Sequence, residues 1–406
     1  MKLAIIITTY ADNTLGLVRA LCERGHDVDM YYLKMDTPTR VETTAYEFEV
    51  PGHNPGCVYE LDYSTVRGAN FIRQYKNSHL YYAQSFRELV KMPNPIPTIM
   101  LYVNRIFIKK LSKFVDDQGY DMVDIISPLK STYLFDYYLK RTPYIHSFHE
   151  IFVNHMGDRR LVPELAKQIE RNKIIRVFSQ NCKEEILSLY PNASDLIEVV
   201  PFGIFHNYKD FGNITIPDVE AKRPYILHFG FLVPYKGIDY LYDAIKILEN
   251  RGVDVSVVIA GMGDLSILAK IKEDPHFLLI QKFLSNDEIA YLVSKSTFVV
   301  CPYLSASQSG MPQTSYIFNK PLVATRVGSF PSMVIDGVNG LLVPPSDSEK
   351  LADAIQRLYL DKNLLDQFSR RLSVVENDLP ETSWSRICEN YIKLVTRIKM
   401  TYYEKS

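Results

Sequence analysis

An α/β protein built from two doubly wound domains is predicted by the length of the chain, by two separate series of apolar strands and amphipathic helices, and by the glycine turns between them. The 406 residues leave room for two domains of ordinary size, each with its own core. Hydrophobic residues make up 47% and charged residues 23%, as in a soluble globular protein. The formal net charge of -1 provides no global field that would favour nucleic acid or an acidic polymer.

The first series opens with the apolar run Leu3 to Ile7, read as a buried strand. It is too short for a signal-peptide core and no small-residue cleavage pattern precedes Asp12. Leu15, Val18 and Leu21 then recur at helical spacing up to Gly25, and Val28 to Leu33 reads as a second strand. This β-α-β start predicts a parallel sheet. Further strands are expected at Met122–Ile126, Tyr144–Phe148 and Ile174–Ser179, and Asn181 with Glu184 reads as a capping box for a helix to Leu189. The domain is expected to close at residue 205.

The second series begins at Tyr225–Phe229 after a polar, turn-rich stretch, His206 to Lys222. Ile238, Leu241, Ile245 and Leu248 mark one helix face, ending at Arg251-Gly252. Strands are expected at Val255–Ile259, Phe277–Gln281, Phe298–Cys301 and Leu322–Ala324, and Ser346 with Glu349 reads as a capping box for a helix bearing Leu351, Ile355 and Leu358. This domain spans 206–378. Residues 379–406 include a last helix, Trp384 to Met400, with Ile387, Tyr391, Leu394 and Ile398 on one face.

The densest local signal is Ser305 to Pro345. Ser309-Gly310-Met311-Pro312 reads as the start of a helix reaching Phe318, with Ser307 or Ser309 as its cap. Free amides at such a start favour an anion such as a diphosphate. Pro321 to Thr325 is a short strand, and Asp336-Gly337-Val338-Asn339-Gly340 a turn before another, Leu341 to Val343. The run from Lys320 to Asp347 resembles the nucleotide-binding half of the retaining family-4 glycosyltransferases, the glycosyl transferases of group 1. Phe229-Gly230 with Tyr235-Lys236-Gly237-Ile238, and Ile259-Ala260-Gly261-Met262-Gly263-Asp264, match upstream in the same order. The likeness is close from Pro224 to Asp361 and general in the first 200 residues. It implies the GT-B fold, with two Rossmann-like domains facing a central cleft, an acceptor-binding N-terminal domain, a nucleotide-sugar-binding C-terminal domain and a final helix that crosses back.

The resemblance also implies site residues. Lys236 would neutralise charge on a leaving diphosphate, and His149, followed by Glu150, would face the donor sugar. His146 reads instead as an ordinary hydrogen-bonded histidine. Gly230 and Phe231 lie on the donor side, Phe231 standing where the family places an arginine, with Arg326 as a substitute cation. Gly261 and Gly263 form a tight turn beside the base, framed by Lys282-Phe283-Leu284. Ser307, Gln308, Ser309, Gly310 and Met311 contact sugar and phosphate. The family's paired glutamates fall at Ala306 and Thr314, which leaves Thr314 a hydroxyl for the ribose. Retention in this fold is ascribed to a front-face route with the leaving phosphate as base, so no protein nucleophile is needed. The implied activity is hexosyl transfer from a nucleoside-diphosphate sugar to a hydroxyl acceptor, a glycan or lipid-linked one, in cell-surface polysaccharide or glycolipid assembly. Phe231, Ala306 and Thr314 motivate the rival, an inactive subunit that stabilises an active partner. No cofactor and no metal are expected. Asp27-Val28-Asp29 reads as a strand entry, with Val28 and Met30 as the buried alternates.

Residues 67–113 hold nine Lys or Arg against one acid, Glu88, interleaved with aromatics. That composition suits either anionic lipid headgroups or an ordinary helical face. No nucleic-acid module is recognisable. The five cysteines follow no paired spacing and no apolar run is long enough to span a membrane, so the expected compartment is the cytoplasm, with peripheral contact at the inner membrane face.

Overall fold

The computed structural model describes residues 1–8, 11–34, 47–48, 57–84, 96–127, 130–148, 162–306, 309–375 and 383–404. The chain divides into two compact units, Met1–Phe202 with Trp384–Ser406, and Gly203–Ser383. The first break therefore falls at Gly203 rather than 206, and the second at Trp384 rather than 379.

In the first unit, β1 (Lys2–Ile7), β2 (Asp27–Lys34), β3 (Val58–Leu61), β4 (Ser78–Gln84), β5 (Met122–Ile126), β6 (Tyr144–Phe148), β7 (Ile175–Val177) and β8 (Ile197–Val199) form one sheet. Its order is β8-β7-β6-β5-β1-β2-β4-β3. All pairs are parallel except β3 with β4. Six consecutive residues of β2, Val28 to Leu33, are buried, as expected of a parallel strand covered on both faces. The alternation expected of Val28 and Met30 is thus replaced by a continuous run. Asp29 is buried too, accepting a hydrogen bond from Tyr120 at 2.5 Å, and burial raises its carboxyl above the usual range.

Helix α1 (Ala11–Glu23) packs against α8 (Trp384–Tyr403), the returning helix. Gly16 makes the contact possible: a Cβ there would lie 2.2 Å from the Trp384 ring. Tyr391 of α8 donates to Asp124, the central carboxylate of a fully buried group. Arg176 Nη1 pairs with Asp124 at 2.7 Å, Ser147 Oγ donates to it at 2.6 Å, and the guanidinium lies over the rings of Phe178 and Tyr391. Helix α2 (Ile96–Asp117) buries Phe107, Ile108, Leu111 and Val115 against the sheet. Helix α3 (Val162–Glu170) precedes β7. The helix before β8, α4 (Gln180–Leu189), is capped by Ser179, which accepts from the Cys182 amide. Asn181 instead bonds Glu185, so the expected capping box is absent there.

In the second unit, β9 (Tyr225–Phe229), β10 (Ser256–Gly261), β11 (Phe277–Gln281), β12 (Val299–Cys301), β13 (Leu322–Thr325) and β14 (Gly340–Val343) form an all-parallel sheet in the order β11-β10-β9-β12-β13-β14. Helix α5 (Ile238–Asn250) seals one face with Ile238, Leu241, Ile245 and Leu248, the stripe its spacing predicts. Helix α7 (Ser348–Leu360) is capped by Asp347, not Ser346, which takes a left-handed φ of 59° in the turn before it. The strand order reverses between β9 and β12, and the crevice at such a switch point is where open α/β sheets bind ligands.

Candidate functional site

At the carboxyl end of β9 the chain turns through Gly230 and Phe231 and enters a short 3-10 turn, Pro234–Lys236, ended by Gly237. That turn is tied to the extension of β12, since the Leu304 amide donates to the Tyr235 carbonyl at 2.7 Å. Lys236 is thereby held at the switch point and is only 8% exposed. Its Nζ lies 5.1 Å from the centroid of the Tyr303 ring and 3.0 Å from where a Cβ on Gly230 would stand. Among the described residues it has no carboxylate partner.

Burial without a counter-charge pushes the Lys236 amine down to about 8 from its ordinary 10.5. The unfolded chain therefore holds this proton over a pH range where the folded one has lost it. The folded state is penalised at every pH below about 8, and the penalty fades as pH rises towards 10.5. A bound anion would restore the proton. Affinity for a nucleoside diphosphate is accordingly expected to be level below pH 8 and to fall above it, by up to about tenfold per pH unit, as measured by calorimetric titration. A flat profile through pH 9 would remove Lys236 from the binding event.

Beneath Lys236 lies His228, buried in the middle of an apolar strand and not anticipated from the sequence. Its Nδ1 lies 3.0 Å from the Val300 carbonyl, which fixes the proton there and leaves Nε2 an acceptor with no partner among the described residues. Burial first, then the neighbouring Lys236, push this imidazole down to about 3, so it stays neutral. The only visible signal was a histidine in the run Tyr225–Phe229 just before the lysine turn.

The second glycine turn lies alongside. A Cβ on Gly261 would stand 1.7 Å from the Gly230 carbonyl oxygen, and Gly261 adopts a φ of 153°, so only glycine lets the two loops touch. Gly263 bridges to Leu232, and the Gln281 side chain donates to the Gly263 carbonyl at 2.7 Å. This edge exposes three large apolar side chains: Phe231 at 44%, Met262 at 49% and Phe283 at 53%. The rings of Phe231 and Phe283 lie 6.5 Å apart.

The loop after β12 leads to α6 (Met311–Tyr316), shorter than the expected helix to Phe318. Ser309 Oγ accepts from the Met311 amide at 3.3 Å, and Pro312 has no N–H, so fewer amides are free at this start than the sequence suggests. Gly310 abuts the Phe205 ring. Tyr303 donates to Met311 Sδ at 2.9 Å, which ties the helix start to the ring below Lys236. Thr314 is buried and its hydroxyl donates to the Gly310 carbonyl at 3.0 Å, so it is not offered to a ribose. The Ala306 carbonyl packs against Gly328. Arg326 pairs with Asp336 at 2.7 Å rather than standing free as a second site cation.

His149, Glu150, Ser307 and Gln308 lie outside the described residues. His146, read as an ordinary hydrogen-bonded histidine, is buried and meets Asp136 at 2.6 Å. Gly230, Phe231, Lys236, Gly261 and Gly263 are thus brought together, with Ser309 and Met311 linked to them through Tyr303.

Residues 223–361 match the family described as glycosyl transferases group 1. The chain is 30% identical to the alpha-D-kanosaminyltransferase of Streptomyces kanamyceticus over 52% of its own length and 58% of that protein's. It is 24% identical to an uncharacterized glycosyltransferase of Methanocaldococcus jannaschii over 89% of its length and 90% of that protein's. Among solved structures, sucrose-phosphate synthase from Thermosynechococcus elongatus superposes with a TM-score of 0.61 at 16% identity, covering 99% of this chain and 100% of that one. The Anabaena HepE protein, solved in complex with UDP-glucose, gives 0.60 at 14% identity, covering 98% and 100%. The fold is GT-B.

Proposed function

We propose that this GT-B chain, whose residues 223–361 carry the group 1 sequence, transfers a hexosyl unit from a nucleoside-diphosphate sugar to a hydroxyl acceptor with retention and without a metal, in polysaccharide or glycolipid assembly. The observation that carries the reading is Lys236, a cation buried at the switch point with no carboxylate partner among the described residues. Folding has left the charge for a ligand to balance. A donor diphosphate placed over it completes the pair, and the ammonium stabilises the charge that grows on the leaving phosphate. The anomeric carbon–oxygen bond breaks with its electrons on that phosphate, the acceptor oxygen bonds to the same face, and its proton passes to the phosphate. His149, one residue beyond β6, is proposed to touch the sugar. Substituting it should lower turnover and spare diphosphate binding.

The exposed pair Phe231 and Phe283 supplies the base platform, with Phe231 standing at the position of the family's arginine. Stacking of one base on an aromatic ring contributes about 1–3 kcal/mol. Phe283→Ala is therefore expected to weaken UDP binding by about tenfold while leaving inorganic pyrophosphate binding unchanged, both read by calorimetry. Equal losses for the two ligands would refute the stacking role.

The direct test is a panel of nucleoside-diphosphate sugars with membrane extract as acceptor source, starting from UDP-glucose and scored for diphosphate release. Release with one donor that vanishes in Lys236→Ala supports transfer. Binding without release across the panel would instead indicate a donor-binding subunit, and no thermal stabilisation by any nucleotide would end both readings.

A further inference from the structure

The aromatic and basic residues of 67–113 do not form one surface. Tyr82 and Phe107 are buried, Tyr81 stacks on Tyr31 with centroids 4.8 Å apart, Tyr75 donates to Glu23, and Phe71 lies under Arg19. Ser78–Gln84 is itself a strand, β4, in the sheet. Arg67, Arg73 and Lys76 are exposed singly around the short turns before β4, and on α2 the exposed residues form one row: Tyr102, Arg105, Ile106, Lys109, Lys110 and Lys113. Their spacing of three and four residues places them on one face, about 17 Å long. The opposite face is already committed to the core through Phe107, Ile108, Leu111 and Val115.

This row is unusual in mixing free cations with apolar side chains that the core does not use. Tyr102 is 63% exposed and Ile106 is 40% exposed. Lys109 and Lys110 have no acidic partner among the described residues. Arg105 donates to the neutral Tyr138 hydroxyl at 2.5 Å and keeps its charge. Lys113 pairs with Asp117, the one acid exposed on this helix among residues 102–117, and Arg141 joins the same carboxylate.

We propose that this face of α2 docks the protein on a bilayer bearing anionic headgroups, Lys109 and Lys110 meeting the lipid phosphates and Tyr102 and Ile106 entering the headgroup boundary. Charge complementarity selects the partner's sign, and the two apolar side chains select a lipid surface over a nucleic acid, whose phosphate backbone offers Ile106 nothing to bury against. No described helix is long and apolar enough to cross a membrane, so the contact is peripheral. The proposal does not depend on the donor site, since none of these residues takes part in it.

The test is flotation of the full chain with vesicles of phosphatidylcholine alone or mixed with phosphatidylglycerol, at about 0.1 M and about 0.5 M salt. Wild type should float only with the phosphatidylglycerol vesicles, and less at the higher salt. Lys109→Glu/Lys110→Glu should lose roughly twentyfold or more in partitioning, since each cation near such a surface contributes about fivefold. Tyr102→Ser should lose severalfold at both salts. Unchanged melting temperatures and far-UV circular dichroism in all variants report that they fold. Equal flotation of wild type and the double variant, or no flotation of wild type, would overturn the proposal. Retention of single-stranded RNA with the same lysine dependence, and no vesicle binding, would overturn it in favour of a polyanion site.

Discussion

Lys236→Met is expected to make the unliganded protein more stable and to cut the proposed transfer by about 10²–10³-fold. The two effects share one cause. Methionine keeps most of the apolar stem that packs beside Gly230 and Tyr303 but removes an ammonium that folding has stripped of water and that no carboxylate among the described residues pairs. Relief of that penalty should contribute about 1–3 kcal/mol, visible as a melting point several degrees higher at pH 7 and as a difference that shrinks by pH 10. The same substitution removes the cation beside the donor diphosphate, so UDP should stabilise the variant much less than it does the wild type. A variant less stable than wild type at pH 7 would mean that the lysine has a structural partner after all. One with full activity would mean that charge on the leaving group is balanced elsewhere.

Arg176→Met in the first unit should have the opposite signature, a loss of about 3–5 kcal/mol of stability with no specific effect on nucleotide binding. Arg176 and Asp124 are both fully buried, and Asp124 already holds hydrogen bonds from Ser147 and Tyr391. Removing only the guanidinium leaves a carboxylate in the dark interior with two neutral donors. The control is Arg176→Met combined with Asp124→Asn, which removes both charges and is expected to recover at least half of the loss, as measured by urea denaturation. A double variant no better than the single would show that the packing of Arg176 against Phe178 and Tyr391, rather than its charge, is what matters.

The second unit was more legible in the sequence than the first. Strands such as Tyr225–Phe229 and Phe277–Gln281 stand between glycine turns and helices whose apolar spacing is unbroken, so period and punctuation agree. In the first unit Val58–Leu61 and Ser78–Gln84 passed unnoticed, because their tyrosines, charges and histidine blur the apolar pattern. Within the site, the sequence pointed to Lys236 and the paired glycine turns but misjudged how polar groups are spent. Thr314 looks like a free hydroxyl until the Gly310 carbonyl takes it, and Arg326 like a free cation until Asp336 does. Asn181 looks like a cap until Ser179, two residues earlier, proves to be in place. Local hydrogen bonds of this kind depend on side-chain direction, which residue order does not carry. His228 escaped for the same reason: nothing in its neighbours' identities says that a lysine will fold over it.

The crossing of α8 onto the first unit has a consequence for how the protein is born. Unit two is one continuous stretch, Gly203–Ser383, and has fully left the ribosome's active centre before Trp384 is added. Unit one is interrupted and must wait. Until α8 is made, α1 lacks Trp384 beside Gly16, and the carboxylate of Asp124 lacks the Tyr391 hydroxyl. Unit one, although its first strands are made earliest, can therefore complete its core only once the last-made helix is available.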